Sequence, residues 1–376
     1  MSNNWSAVIP QLLAQGMLCL RQMAIMPKLV NRGYEATAGN KGDTVTIPLS
    51  SAVTTIDVTP AITPPANADS VPTSITIVLD QWKEAAFYLT DKQMLEVMEG
   101  TIPMQAKEAI KSIANTVDAA ILANYKSIYG YSGVAGMTPF ANDVSAFLTG
   151  RRNLTNQLAD VSPRFMVMDA DAEANALGLR MFQDVSYRGD AAGINEGIIG
   201  YKLGAQWAVD QNIPTHTAGT ASGATTDSAG YAVGVKTITL ASAGTGTILV
   251  GDIIQFAGDN QTYAVTSGDS NVANGGTISF EPGLKVAIAA SPAAITVKPS
   301  HVVNLYAHRD CISFVSRPFA GADPLGLGYF QSAVDPVSGL SLRLEATRQH
   351  KQTRFAFDIL YGTKCTRPEF GNRIAG

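Results

Sequence analysis

The chain has 376 residues, is 46% hydrophobic and 15% charged, and carries a formal net charge of -4. This length predicts two or three domains with buried cores, and the acidic balance argues against broad affinity for nucleic acid, which requires a basic surface. Three cysteines without a CxxC pair predict reduced thiols rather than a disulfide framework. The first ten residues do not resemble a signal peptide, and no apolar run is long enough to predict a membrane span.

The N-terminal part of the chain predicts an arm followed by a long hairpin. Apolar segments interrupted by Pro27 and by glycines predict that residues 1–40 form an arm that packs on another surface. Two runs of alternating apolar residues within residues 43–80 predict strands, which are joined by a proline-rich stretch. A long two-stranded hairpin is marginal in water, and its charges are all acidic, including Asp57 and Asp69. We therefore expect it to lie against a basic surface of another chain.

The longest predicted helix covers residues 101–126. Apolar residues recur there at three- and four-residue spacing, as expected for one buried helix face. Thr101 can cap its start, and Pro103 lies in the first turn, where the missing N–H costs nothing. The predicted core positions are Ala106, Ile110, Ile113, Val117 and Ile121.

The second half of the chain has three parts of different composition. A strand at residues 164–168 and an alanine-rich helix at residues 170–179 belong to a mixed region. Residues 216–300 are rich in Gly, Thr and Ala, and five short strands between turn residues predict a small antiparallel β domain there. We interpret this domain as an insertion, because the earlier composition resumes at His301.

The C-terminal segment is the most basic part of the chain. Residues 341–376 contain seven Lys or Arg against three Asp or Glu. This segment is therefore the predicted partner of the acidic hairpin of a neighbouring chain, and the contact candidates are Arg343, Arg348, Lys351 and Arg354.

Motifs for chemistry are incomplete or missing in the sequence. Ala174 and Arg180 occupy the positions at which a calcium loop requires Gly and Glu, so a helix N-terminus rich in acids is the better interpretation. The four histidines lack metal-site spacing, and the sequence has no P-loop, no GxGxxG fingerprint and no GxSxG elbow. We therefore predict no enzyme, no cofactor and no metal. The residues that partly match a calcium loop are Asp169, Asp171, Glu173 and Asn175.

The order of these elements and the sequences of several segments resemble those of a known protein family. The segments are residues 196–204 (EGIIGYKLG) with 210–216 (DQNIPTH), 251–258 (GDIIQFAG), 305–318, and 361–369 (YGTKCTRPE). The chain resembles the major capsid protein of tailed bacteriophages, which has the α+β Johnson fold. It looks closest to coat proteins of short-tailed phages that carry an inserted β domain.

The resemblance implies a division of the chain into parts with separate roles. The peripheral domain would also include strands from 340–355. The implied parts are an N-terminal arm (1–40), an extended loop (41–82), a peripheral domain (83–134) with the spine helix 101–126, an axial domain (135–215 and 301–376) and an inserted β domain (216–300).

The resemblance also implies partners and a location. Copies of the chain would form hexamers and pentamers of an icosahedral shell around double-stranded DNA, with scaffolding and portal proteins and decoration proteins as further partners. The shell would assemble in the host cytoplasm and become part of the virion, without a membrane partner. Some relatives lock their shells by a Lys–Asn isopeptide bond from the extended loop. Here residues 43–80 contain no lysine, and Lys41 and Lys83 only flank this segment, so we predict a non-covalent shell.

Three other function classes remain open at this point, one of which is a hydrolase with an unrecognised site. An encapsulin-type compartment uses the same fold, and the arm and the inserted β domain favour a phage instead. The Thr- and Gly-rich region at 216–300 would also suit a carbohydrate-binding module or adhesin, for which a signal sequence would be expected.

Overall fold

The computed structural model describes residues 12–14, 16–20, 24–34, 44–49, 55, 60, 62, 73–93, 104–184, 196–317, 328–335 and 338–376. Helices and strands are mixed along this part of the chain, which confirms the predicted α+β class. Residues 12–14, 16–20, 91–93 and 196 are helical. The other α-helices are α1 (Met26–Leu29), α2 (Met104–Leu122), α3 (Ser145–Asn156), α4 (Ala170–Gly178) and α5 (Arg180–Gln183).

The strands form separate sheets, described below. In chain order they are β1 (Thr44–Leu49), β2 (Thr73–Val78), β3 (Gln81–Thr90), β4 (Gly130–Gly133), β5 (Arg164–Met168), β6 (Tyr201–Lys202), β7 (Ala205–Val209), β8 (Thr215–His216), β9 (Thr237–Thr239), β10 (Ile253–Phe256), β11 (Tyr263–Ser267), β12 (Thr277–Glu281), β13 (Ile295–Val297), β14 (His301–His308), β15 (Ile312–Arg317), β16 (Gly328–Val334), β17 (Ser341–Gln349), β18 (Gln352–Cys365) and β19 (Gly371–Ala375).

The long helix α2 is the centre of the largest core. A 3-10 turn, Ala123–Ser127, follows it, and the predicted start at 101–103 lies outside the described residues. Leu12 and Leu13 of the arm are buried in the same cluster as the apolar face of α2, so this part of the arm packs on its own chain. All five predicted core positions of the helix are buried: Ala106, Ile110, Ile113, Val117 and Ile121.

A sheet built around β18 covers the apolar face of α2. β3 pairs antiparallel with β18 along one edge, and β17 and β15 pair with its other edge. Alternate residues of β18 point to opposite faces, so Phe355, Phe357 and Ile359 join the core with α2. Phe355 stacks on Phe87 of β3 with ring centroids 5.4 Å apart. The opposite face carries charged residues and is described below.

A second core lies against a larger sheet. Its strand order is β4-β19-β14-β5-β7-β6, and β8 pairs with one end of β14. The ring centroid of Phe147 on α3 lies 4.7 Å from that of Tyr306 on β14 and 4.9 Å from that of Trp207 on β7. Aromatic side chains bury large apolar areas, so this trio fixes α3 on the sheet.

The five strands between residues 237 and 297 form a sheet of their own, here called the β module. Its order is β13-β10-β11-β12-β9 and its pairs are antiparallel, as the sequence predicts for this region. Three aromatic rings meet in its core, with centroids 5.2 to 5.4 Å apart: those of Phe256, Tyr263 and Phe280. That the module is an inserted domain stays a prediction.

Candidate functional site

The predicted hairpin is paired at its base. β1 and β2 are antiparallel, with register from Thr44↔Val78 to Leu49↔Thr73. Their apolar side chains pack on Val315 and Leu360 of the same chain. Apolar burial of this kind is the main favourable term in folding, so the base of the hairpin is held by its own chain. Asp57 and Asp69 lie outside the described residues.

The outer face of the β18 sheet carries a row of charged residues. Arg343 donates from Nε to Oδ1 of Asp358 at 2.9 Å and from Nη2 to Oδ2 at 2.5 Å. The indole N–H of Trp82 also donates to Oδ2, at 2.9 Å. The carboxylate of Asp358 is almost fully buried. Burial opposes the charge of Arg343, but its bond and attraction to Asp358 outweigh this and raise the pKa of the guanidinium.

The other contact candidates lie nearer to solvent. Arg354 pairs with Glu84, and Arg348 pairs with Asp91, to which its Nη2 donates at 2.8 Å. Both members of the Arg348 pair are about half exposed. The bond from Arg348 lowers the pKa of Asp91.

Lys351 is the last of the four contact candidates. Lys351 is exposed in the turn between β17 and β18, where its carbonyl accepts the N–H of Asp91. The three arginines thus have acidic partners within their own chain. Contacts of these four residues with a neighbouring chain stay a prediction. A partially exposed side chain such as Arg348 can exchange its partner for one on another chain at low cost.

A buried polar network joins the β module to the end of α2, and the sequence analysis did not identify it. The guanidinium of Arg373 on β19 is fully buried. It donates to the carbonyl of Gly251 at 2.7 Å and to that of Lys126 at 3.0 Å. It also lies 5.0 Å from the ring centroid of Tyr125. Burial lowers the pKa of Arg373 to about 9, so it stays charged at neutral pH.

His216 and Asp252 complete this network. Nε2 of His216 lies 3.0 Å from Oδ1 of Asp252, and Nδ1 lies 3.1 Å from the hydroxyl of Tyr125. Because a carboxylate only accepts, Nε2 carries a proton, and a neutral ring then accepts the Tyr125 proton at Nδ1. Burial lowers the pKa of the neighbouring His301 to about 4. The network is closed to solvent, so we assign it a structural role.

A buried carboxyl group holds the arm on α2. Oδ2 and Oδ1 of Asp118 accept the backbone N–H groups of Ile25 and Met26, each at 3.1 Å. These N–H groups lie at the start of α1 and have no partner within the helix. Asp118 is also near the buried Asp210 and the exposed Lys28. Burial, reinforced by the charge of Asp210, raises the pKa of Asp118 to about 7.

We expect the free energy of unfolding to fall as the pH rises from about 4 to about 7 through Asp118. The folded state holds the proton in this range, whereas the unfolded state has released it, so ionisation favours unfolding. The full effect is on the order of 4 kcal/mol, since the pKa is raised from 3.8 to about 7 and one pKa unit corresponds to about 1.4 kcal/mol. Urea unfolding of the unassembled chain between pH 4 and 8 would measure it.

Asp118→Asn keeps an oxygen acceptor but cannot ionise, so its unfolding free energy should change much less over this range. Asp171→Asn, which removes an exposed carboxylate on α4, is the matched control and should retain the wild-type slope. Equal slopes for Asp118→Asn and wild type would contradict the assignment.

The residues that partly match a calcium loop lie at the start of α4. Asp169 precedes the helix, and Asp171 and Glu173 lie in its first turn. Asn175 donates to the carbonyl of Pro139 at 3.2 Å. Acidic residues are favoured at a helix N-terminus, which is the interpretation that the sequence favoured. Within the described residues, no group of three or more His, Cys, Asp or Glu could hold a metal ion.

Comparisons with known proteins connect this fold to phage capsids. No family model and no curated protein matches the sequence, whereas the solved structures that match are mostly phage capsid structures. A structure from Mycobacterium phage Che8 matches with a TM-score of 0.50 and 15% identity, over 93% of this chain and 90% of the other. The fold therefore resembles that of phage capsid structures, as predicted, whereas the particular Johnson-fold elements and the short-tailed-phage type stay predictions.

Two further matches are more distant. The capsid structure of cyanophage P-SCSP1u has a TM-score of 0.47 and 12% identity, over 94% of this chain and 88% of the other. The mature capsid of bacteriophage PhiM1 has a TM-score of 0.45 and 10% identity, over 94% of this chain and 86% of the other.

Among the described residues, we find no helix whose length and hydrophobicity would allow it to span a lipid bilayer.

Proposed function

We propose that the chain is the major capsid protein of a tailed phage and self-assembles into an icosahedral shell around double-stranded DNA. The observation that supports this most directly is the fold shared with the Che8 structure over nearly the whole of both chains. The hairpin gives further support. β1 and β2 are still paired with each other at Leu49 and Thr73, and the 23 residues from 50 to 72 join these two positions.

In this proposal the chain has the Johnson fold, and its parts have the roles that the resemblance implies. The arm (1–40) and the extended loop (41–82) make non-covalent contacts between copies. The peripheral domain (83–134, with strands from 340–355) contains α2 as the spine helix. The axial domain (135–215 and 301–376) gathers around the five- and six-fold axes, and the β module lies in the inserted domain (216–300).

The partners and the location follow from the same proposal. Hexamers and pentamers of the chain build the shell, and scaffolding, portal and decoration proteins are its further partners. The shell encloses DNA without reading its sequence, in keeping with the net charge of -4. Assembly takes place in the host cytoplasm, the product is the virion capsid, and the chain has no enzymatic role.

Electron microscopy of the purified chain, with and without a scaffolding factor, tests this function. Large uniform particles are the expected result, and particles that enclose double-stranded DNA during infection would separate a phage shell from an encapsulin-type compartment. A soluble monomer that binds glycans would instead support the carbohydrate-binding class. A ladder of covalent oligomers in boiling detergent would contradict the non-covalent shell.

We expect Asp57→Lys to lower the yield of shells more than it lowers the stability of the unassembled chain. The hairpin is acidic, and each exposed ion pair with a neighbour contributes about 1 kcal/mol or less, so the loss is multiplied over the many copies of a shell. Shell yield by sedimentation and melting temperature of the free chain are the two measurements.

Asp160→Lys makes the same charge change at an exposed residue outside the hairpin and should assemble like the wild type. An unchanged shell yield for Asp57→Lys, or an equal loss for Asp160→Lys, would count against a specific role of the hairpin charge.

A further inference from the structure

A polar cleft lies between the β module and α3. Its volume is about 600 Å³, within the range of about 300–1,000 Å³ that is usual for small-molecule sites. Residues of α3, of the turn between β10 and β11, of the segment after β12 and of the starts of β4 and β19 line it. The cleft is therefore formed within one chain, by parts that are far apart in the sequence.

Hydrogen bonds fix the framework of the cleft. The hydroxyl of Thr262, just before β11, donates to the carbonyl of Tyr129, just before β4, at 2.7 Å. On α3, Nδ2 of Asn153 donates to Oδ1 of Asn372 on β19 at 3.0 Å. These bonds join the parts that form the cleft, so a ligand would not have to order them on binding.

The cleft contains carboxamides that are free to bind a ligand. Asn156 and Gln157 lie at the end of α3, and Asn260 lies in the turn between β10 and β11. Their side chains make no hydrogen bond to any described residue, and Asn156 and Asn260 are exposed. A carboxamide both donates and accepts, so these three groups favour a ligand whose polar groups do the same.

Charges of both signs line the same cleft. Arg152 and Lys285 are cationic and Glu369 is anionic, and none of the three forms an ion pair with a described residue. A polyanion such as nucleic acid would meet Glu369, and a cationic ligand would meet the other two, with a cost from like charges in each case. Val286 is the one aliphatic side chain among the described lining residues, whereas sites for apolar ligands are lined mostly by hydrophobic residues.

We propose that this cleft binds a neutral oligosaccharide. A sugar hydroxyl both donates and accepts, so it pairs with a carboxamide in either orientation. A carboxylate only accepts and an ammonium only donates, so either would leave part of each carboxamide without a partner. A peptide gains specificity from pockets for its side chains, and for apolar ones the cleft offers only Val286.

A microarray of neutral glycans, probed with the fluorescently labelled unassembled chain, tests the proposal. Binding to at least one neutral glycan is the expected result, and isothermal titration with that glycan in solution then gives its Kd. Sulfated glycans and a glycine-rich peptide are printed on the same array for comparison. An array without bound chain, or binding confined to the sulfated glycans or the peptide, would overturn the proposal.

Asn156→Ala and Asn260→Ala each remove one carboxamide, from two different elements of the cleft. Each should raise the Kd about fivefold or more through the loss of hydrogen bonds to the glycan. Both positions are exposed, so the melting temperatures should stay close to the wild-type value.

Gln211→Ala is the matched control, because it removes an exposed carboxamide outside the cleft. Its Kd for the glycan should equal that of the wild type. An unchanged Kd in both cleft variants, or an equal loss of affinity in Gln211→Ala, would overturn the proposal.

The glycan site and the shell function can fail separately, because the cleft is complete in an unassembled chain. Shells formed by a chain without affinity for any neutral glycan would refute the site and leave the shell function intact. Glycan binding through the cleft by a chain that never associates would support the site and refute the shell. A chain that does neither would refute both.

Discussion

Arg373→Ala is expected to lower the free energy of unfolding by about 3–5 kcal/mol, because it breaks a buried charge network. The guanidinium satisfies the carbonyls of Gly251 and Lys126, and its charge favours the buried carboxylate of Asp252. Without it, these two carbonyls would lose the guanidinium as their donor in a site that excludes water. Urea unfolding of the unassembled chain at neutral pH would measure the loss.

Arg152→Ala is the matched control, because it removes the same side chain from an exposed position on α3. Its unfolding free energy should stay within about 0.5 kcal/mol of the wild type, as for most surface substitutions. Arg373→Met retains much of the side-chain length and apolar volume. If this variant were as stable as the wild type, the hydrogen bonds and the charge of Arg373 would not matter for stability.

Arg343→Ala is expected to lower the free energy of unfolding by about 3 kcal/mol, since removing one member of a buried pair leaves an uncompensated charge. Asp358 would keep only the indole N–H of Trp82 among its side-chain donors described above. The double variant Arg343→Met with Asp358→Leu should recover most of this loss, because a well-packed apolar pair often replaces a buried ion pair without cost. Thermal and urea unfolding of the four members of this double-mutant cycle would test both statements.

Arg348→Ala removes an arginine from the same strand but from an exposed pair with Asp91, and its melting temperature should stay close to the wild-type value. Equal losses for Arg343→Ala and Arg348→Ala would show that burial of Asp358 does not distinguish the two pairs. A double variant as unstable as Arg343→Ala would show that the apolar pair does not replace the ion pair.

Local patterns predicted the regular elements of the fold well. The strand at 164–168 is observed with the same bounds, and α4 ends one residue before the predicted helix end. The core face of α2 follows from spacing alone, because its side chains repeat every 3.6 residues whatever they contact. The five short strands of the β module are also observed, since turn residues mark their ends.

Contacts between distant residues could not be predicted in this way. The excess of basic residues in the C-terminal segment predicted acidic partners on another chain. The register of β18 with β17 instead places Asp358 of the same chain opposite Arg343. Its register with β3 brings Glu84 near Arg354. Charged residues on adjacent strands are side-chain neighbours, and no local pattern gives a register. The sequence signal for the buried polar sites is a single charged residue among mostly apolar neighbours, such as Asp118 or Arg373.

The carbonyls that Arg373 bridges have a consequence for motion. One belongs to the turn after α2 and the other to Gly251, which enters the β module with a φ of +94° and where an added Cβ would lie 2.9 Å from Cγ of Lys126. A side chain at this position would push the two parts away from each other, whereas glycine lets one guanidinium clamp them. We therefore expect the β module and the end of α2 to move together as one rigid unit whenever the chain changes its conformation.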